Sequence, residues 1–494
     1  MKRILFSTGV LAITLTFFSC NKLDQQPISS VPASSFWKTN QDAIAGNAAL
    51  YAGLQNVFGK TFTEWGDARS DNLTYGGTGE NQVNISLNGI DAVTASADWG
   101  NLYNTIQRAN LAIKYLPNIY KNGQLTQNDF NNYMAQAYTV RAFMYFWAVR
   151  LWGNVPVRLT PYETLDSSQY LGRSNKDSII NNVIIPDLNS ALTLVNPNLI
   201  NNFFITQGAI LSIQAEVAIW QKRYNDVITI TNQITALNLY SLVQDPTLYK
   251  NVFSVGTTSE NIWTLDWHYQ TDGANGLATK LGSNGNTSNY YIDTTTTVNN
   301  TTSWYRRWTQ NNSDIRRYLC YDTITYGYTT QPKQIWKFYP IDINTGKPLN
   351  PTRSQCEAKI PFYRYADILL MQAEAYNATG DTASALTNVR LIRSRAKAGA
   401  INSSFYNNLA SKNDVMNVIL DERQLELYCE GKRWFDLVRN GLVINIMDPL
   451  TKARQTTLNL YPSGFSDTAK ILWPISRSAL TANPSLVQNP SYSR

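Results

Sequence analysis

The chain has 494 residues, of which 43% are hydrophobic and only 16% charged, so it can bury a large core beneath a polar, weakly charged surface. Its formal charge is +7, and without Lys2 and Arg3 of the leader described below 40 basic residues face 35 acidic ones. These charges are scattered with no basic run, which argues against a nucleic-acid partner.

The first residues, MKRILFSTGVLAITLTFFSC, combine a basic start with an apolar stretch from Ile4 to Phe18 and a small residue, Ser19, before Cys20. This is an export leader, too short and too terminal for a membrane span. A Cys at the cleavage point suggests a lipoprotein leader (1–19), although Phe17 and Phe18 depart from the usual lipobox. Cys20 would then carry acyl chains, and two or more chains anchor a protein stably. The polar stretch 20–40, with Pro27 and Pro32, reads as a tether.

Helical spacing begins in 41–58, where Ile44, Ala48, Tyr51 and Leu54 or Gln55 recur at three- and four-residue steps. It continues in 96–116 (Trp99, Tyr103, Ile106, Asn110, Ile113) and in 131–152, with Gly153 and Pro156 as stop signals. A helix over 175–195 should kink or break at Pro186. Two more helices fit 206–238. In 361–396, two helices meet at Gly380 and Asp381, with Ala373 and Ala385 twelve residues apart. The segment 215–227 repeats that spacing with Ala215 and Val227. Both resemble tetratricopeptide units, degenerate and not in tandem.

Residues 60–95 and 241–360 lack helical periodicity and are rich in Asn, Thr, Gly and aromatic residues. The chain therefore reads as mainly α: a single body over 41–494, with helical parts at 41–240 and 361–494 and a loop-rich insert between them carrying a few short strands. Long irregular segments of this kind are commonly functional. Cys320, Cys356 and Cys429 form no CxxC and no even-numbered framework. With His268 as the sole histidine, a multi-histidine metal site is excluded and no cofactor is expected; a carboxylate-only calcium site stays open.

Six stretches in order, RANLAIKYLP (108–117), YTVRAFMYFWAVRLWGNVPV (138–157), IPFYRYADILLMQAEAYNATGD (360–381), DERQLELYCEGKRWFDLVRNG (421–441), ILWPISRSAL (471–480) and NPSLVQNPSY (483–492), resemble the SusD/RagB family of outer-membrane nutrient-binding lipoproteins of Bacteroidetes. Ser491 stands where the closing motif usually has Gly. The resemblance implies a helical scaffold of tetratricopeptide-like pairs and a lipid anchor in the outer membrane, with the body at the cell surface. It implies an oligo- or polysaccharide ligand, a SusC-like TonB-dependent transporter as partner, and no catalysis.

A sugar ring offers an apolar face and a polar rim, so an exposed aromatic ring beside Asp, Asn or Arg is the residue set that fits it. The irregular regions supply Trp65, Asp67, Arg69, Asp71, Asn72 and Tyr75, then Trp267, then Tyr290, Tyr291, Asp293, Trp304, Tyr305 and Trp308 as candidate glycan contacts. At least one ring from 65–75 and one from 290–308 is expected on a shared exposed surface. For each ring, the alternative is that it plugs its loop onto the body. Trp147, Trp152, Trp220, Trp434 and Phe435 read as core. Glu422, Glu426 and Glu430, spaced by four and interleaved with Arg423, Arg433 and Arg439, read as structural ion pairs sharing a helix face, with Arg433 and Asp436 three apart. Two other readings stay open: a surface glycoside hydrolase using a pair such as Asp71 and Asp293, and a binder of peptide or another nutrient on the same scaffold.

Overall fold

The computed structural model describes residues 33–77, 79–163, 170–245, 248–282, 288–295, 313–320, 335–339, 353–401, 409 and 411–492. The leader, Cys20, Trp304, Tyr305 and Trp308 lie outside them. At the end of the expected tether, one side chain packs onto the body. Trp37 is buried and lies over Gly46, where a Cβ would stand 2.0 Å from the indole.

Helix α1 (Asn40–Thr63) starts at a capping box in which Thr39 and Asp42 exchange hydrogen bonds. Its buried face runs through Ala43, Gly46, Leu50, Gly53, Leu54 and Val57. The stripe read from Ile44 and Ala48 is rotated off that face, and Ile44 is exposed. The cause is the two glycines, which carry no hydrophobic signal yet let neighbouring side chains sit against the helix backbone: Thr105 Cγ2 would be 2.8 Å from a Cβ at Gly53.

Helices α2 (Gly100–Lys121) and α3 (Gln127–Trp152) form the next antiparallel pair, and α3 is buried from Met134 to Trp152 apart from Tyr138. Gly153, at φ 73°, ends α3 as its spacing predicts. Over 176–194 the helix is continuous and does not break at Pro186; the irregularity is a π-helical turn (Ile180–Ile184) directly before α4 (Ile185–Leu194), just ahead of the proline that cannot donate to the preceding turn.

The two tetratricopeptide-like pairs are α5 (Gln207–Trp220) with α6 (Tyr224–Ala236), and, near the C-terminus, α8 (Tyr365–Thr379) with α9 (Thr382–Arg395); a short helix, α7 (Leu277–Leu281), falls between them. Both turns use a left-handed residue, Lys222 at φ 59° and Gly380 at φ 102°. Ala215, Val227, Ala373 and Ala385 are fully buried, so the twelve-residue spacing marks the close approach within each pair. The pairs also touch each other, α6 against α8. Helices α10 (Lys412–Glu426), α11 (Arg433–Arg439) and α12 (Val443–Thr457) complete the scaffold.

Among the described residues there are four strands in two antiparallel ladders. β2 (Asn261–Leu265) pairs with β4 (Ile360–Arg364), and β1 (Leu73–Tyr75) pairs with β3 (Tyr290–Ile292). One hydrophobic core extends from Trp37 to Leu486, and a smaller one joins α8, α9 and α10. Trp147, Trp152, Trp434 and Phe435 belong to the large core, and Trp220 packs partly buried against it. No helix among the described residues is long and apolar enough to cross a membrane.

Candidate functional site

The segment Glu64–Ala68 continues α1 as a π-helical turn, which shifts the side chains that follow by one extra residue per turn. That turn drives the segment inward rather than out. Gly66 lies against the backbone of Gly431, where a Cβ would stand 2.2 Å from the Gly431 Cα. Trp65 is 1% exposed, donates from Nε1 to the Ser96 carbonyl at 2.8 Å, and is ringed by Phe58, Trp147 and Trp152.

Asp67, Arg69, Ser70 and Asn72 are buried with it, and Asp71 is half-buried. Asp67 accepts from Asn72 Nδ2 and from the Gly431 amide, and burial pushes its carboxyl up to about 7. Arg69 lies over the Trp434 ring at 4.1 Å and donates to Asn88 Oδ1 and to the Ile471 and Lys470 carbonyls. Burial pushes its guanidinium down to about 10. Asp71 takes a two-pronged bond from Arg433 at 2.8 Å and a third from Gln424. Burial acts to raise the Asp71 carboxyl, but Arg433 and Gln424 outweigh it and hold it below the ordinary value. Gln424 also donates to Asn72 Oδ1.

These placements correct the expectation that Trp65, Asp67, Arg69 and Asn72 lie open to solvent. Trp65 is covered from within the N-terminal part of the chain, by Phe58, Ser96, Trp147 and Trp152, but Asp67, Arg69 and Asn72 also take partners some 350 to 400 positions away (Gly431, Trp434 with the 470–471 carbonyls, and Gln424), of which local composition carried no sign. Asp293 is likewise buried and pairs with Arg454 of α12 at 2.7 Å. Tyr290 is fully buried. Trp267 is 5% exposed, donates to the Gly273 carbonyl, and presses its ring edge over Gly59, so no broad face is left for stacking.

The two irregular segments meet, but their described rings do not form the shared exposed surface expected of 65–75 and 290–308. β1 and β3 run side by side with Thr74 opposite Tyr291 and Tyr75 opposite Tyr290. Arg454 ties the junction, donating to the Ser70, Leu73 and Ser86 carbonyls as well as to Asp293. Tyr75 and Tyr291 are the rings of this ladder that keep partial exposure. Opposite residues of a ladder share a face and successive ones alternate, so these two rings point to opposite sides of the ribbon. Tyr291 packs over Gly76, whose added Cβ would be 2.7 Å from the ring.

Beside the ladder, two clefts open along α1. One, of about 610 Å³, is lined by Asn56, Gly59, Lys60, Trp267, Asp272, Lys280 and Asn289 among others. The second, of about 540 Å³, is lined by Lys60, Glu64, Asn81, Asp98, Asn101, Asn104 and Lys280. Lys280 pairs with Glu64. Burial pushes the Lys280 ammonium down to about 8. Sequence reading missed these residues. A signal was there: Asn56, Lys60 and Glu64 form a polar row at four-residue steps on an otherwise apolar stretch.

The carboxylates of the 421–441 stretch are structural. Arg364 binds Glu426, Glu430 and Glu260, Arg395 binds Glu260 and Glu426, and Arg316 binds Glu422, Glu426 and Asp314. Burial acts to raise Glu426, yet Arg395, Arg364 and Arg316 together hold it well below its ordinary value. Two details differ from the sequence reading. α10 ends at Glu426, so Glu430 reaches the network from the following turn rather than from a shared helix face. Arg433 pairs with Asp71, and Asp436 with Arg423 and Arg439. His268 is exposed, with Nε2 3.2 Å from Asp266 Oδ2. Among the described residues no group of three or more His, Cys, Asp or Glu side chains could hold a metal ion.

Comparison with known proteins matches residues 186–492 to the SusD family model and residues 23–219 to a model described as starch-binding associating with outer membrane. The chain is 27% identical to SusD-like protein P38 of Formosa agariphila, over 99% of this chain and 98% of that one. Its fold is similar to a SusD superfamily protein from Bacteroides vulgatus (TM-score 0.76, 20% identity, 92% of this chain and 100% of that one). It is also similar to a laminarin-binding SusD-like protein (TM-score 0.72, 20% identity, 92% and 100%).

Proposed function

The chain belongs to the SusD family, and from that premise we propose that it is a non-catalytic, cell-surface glycan-binding lipoprotein. Cys20 carries the lipid anchor in the outer membrane. The body captures an oligo- or polysaccharide and delivers it to a SusC-like TonB-dependent transporter. The observation that carries this reading is the match of two family models that together span residues 23–492, one of the SusD family and one, over 23–219, described as starch-binding associating with outer membrane. A relative in fold that binds laminarin supports the carbohydrate class.

Of the candidate contacts, Tyr75 and Tyr291 retain open ring surface beside polar backbone, and with Trp304, Tyr305 and Trp308 they are the proposed stacking residues. Asp71 and Asp293 are each committed to a guanidinium, which disfavours their use as a hydrolytic pair.

The test is a glycan array with the full chain, followed by calorimetry on the hits. Saturable binding without sugar release is expected, and Tyr75→Ala or Tyr291→Ala should weaken it while the melting temperature stays put. Time-resolved release of sugar would favour the hydrolase. A thermal shift with peptides and none with glycans would move the cargo to another nutrient.

A further inference from the structure

Helix α1 carries apolar residues on two faces. One is the buried face described above. The other is the stripe whose spacing first suggested a core face: Ile44, Ala45, Ala48, Tyr51 and Ala52. Ile44 is 42% exposed, Ala45, Ala48 and Ala52 are exposed, and Tyr51 is half-buried. The Tyr51 hydroxyl donates to Gln136 Oε1 and accepts from the Ile205 amide, so its polar end is satisfied within the body. Phe204, itself exposed, meets the Tyr51 ring edge-on at 5.4 Å and widens the patch. Beyond Ala52 the same side of the helix turns polar, through Gln55, Asn56 and Lys60. A contiguous apolar stripe left in water marks a surface with something to cover it.

The place where the chain leaves the body says what that is. On the lipoprotein reading the lipid sits on Cys20, thirteen positions before Ala33, where the described residues begin. Thirteen peptide steps reach at most about 45 Å. The chain is then pinned by Trp37, which lies over Gly46 and stacks on Tyr115. Gly46 belongs to the turn that carries Ile44, Ala45 and Ala48, so the tether departs beside the apolar half of the stripe and not the polar half. Two cations flank that half: Lys38 is exposed, and Arg108 of α2 reaches the Ala49 carbonyl at 2.7 Å. The carboxylate nearby, Asp42, is occupied by the Thr39 hydroxyl and the Lys38 and Thr39 amides. Apolar side chains rimmed by cations suit a helix lying in the interface of a bilayer with anionic headgroups.

We infer that the first half of α1 docks on the membrane that holds the lipid, with Ile44, Ala45, Ala48, Tyr51, Ala52 and Phe204 in the headgroup layer. A lipid anchor alone leaves the body free to swivel on its tether. A second contact fixes which face looks outward. The inference rests on the lipid-anchor reading above and adds a contact surface and an orientation to it.

The test uses the full lipidated chain in vesicles of phosphatidylethanolamine and phosphatidylglycerol, with a nitroxide on Ala48→Cys or on Ala52→Cys. Cys320, Cys356 and Cys429 are buried and do not compete for the label. Both labels should lose access to a water-soluble nickel chelate on reconstitution while keeping access to oxygen. Ala383→Cys, on the exposed side of α9, should keep both. Adding Ile44→Asp to the Ala52→Cys chain should restore nickel access without moving the melting temperature. Intact mass reports the acyl chains on Cys20 in the same samples. An acylated chain whose labels at 48 and 52 stay open to nickel overturns the docking and leaves the anchor standing. Loss of nickel and oxygen access together means that protein, such as a second copy of the chain, covers the stripe, and overturns the lipid assignment. A mass without acyl chains on Cys20 removes the anchor and the docking with it.

Discussion

Replacing Arg454 by Met tests how the ladder is held. The side chain is 1% exposed, and Met keeps most of its length and apolar stem while removing every donor. The change would orphan the Ser70, Leu73 and Ser86 carbonyls and leave Asp293 Oδ2 without its ion-pair partner. Breaking a buried ion pair from one side costs about 3–5 kcal/mol. Each orphaned buried acceptor adds about 1–3 kcal/mol at most, and less than additively because the short 70–76 segment can relax toward water. A loss of about 5 kcal/mol is therefore expected from urea unfolding. Asp293→Asn should cost less, since the guanidinium keeps its three carbonyls, and the double variant should cost about 1–3 kcal/mol less than the sum. Hydrogen exchange supplies a local readout: the Gly76 amide bonded to Asn289 and the Asp293 amide bonded to Asn72 should lose protection first. Additivity within about 0.5 kcal/mol, or unchanged protection at those amides, would refute the view that Arg454 couples the two segments.

Asp67 binds a proton more tightly in the folded chain, about 7 against an ordinary 3.8, so its contribution is fully present below pH 3.8 and is lost as pH rises toward 7. Asp67→Asn should flatten the fall in melting temperature across that window, and an unchanged slope would show that Asp67 is already ionised. Gly66→Ala forces a methyl into the Gly431 backbone, which cannot swing aside, and should cost about 3 kcal/mol or more in the same urea experiment. Ser491 sits at φ 68°, a conformation that costs a non-glycine residue about 1–2 kcal/mol. Ser491→Gly relieves that strain but gives up the hydroxyl bond that helps hold Asp467 below its ordinary value, so thermal melts should show a change from zero to slightly stabilising. Both glycine predictions can be read beside Lys452→Ala, a surface control whose exposed ion pair with Asp448 is worth at most about 1 kcal/mol.

The helical scaffold was legible in the chain because its signals are local. Thr39 with Asp42, Gly153, Pro186 and the Gly380–Asp381 turn act within a few residues of themselves, and the twelve-residue alanine spacing reports a contact between neighbouring helices. The exposure of a ring is not local. Trp65, Arg69 and Asp71 look like a glycan-binding set in isolation, but Trp65 is enclosed by Phe58, Trp147 and Trp152, Arg69 by Trp434 and the carbonyls near residue 470, and the half-buried Asp71 is taken by Arg433 and Gln424, all but Phe58 far from 65–71 in the chain. Burial is set by the sum of what every other segment covers, and no short window contains that sum. The sequence by itself determined the family, the paired helices and their turns, though not the helical turns within 60–95 or the helix at Val443–Thr457. Only the tertiary structure decided which carboxylates face guanidinium groups, which tyrosines keep an open face, and that the polar row of Asn56, Lys60 and Glu64 lines a groove.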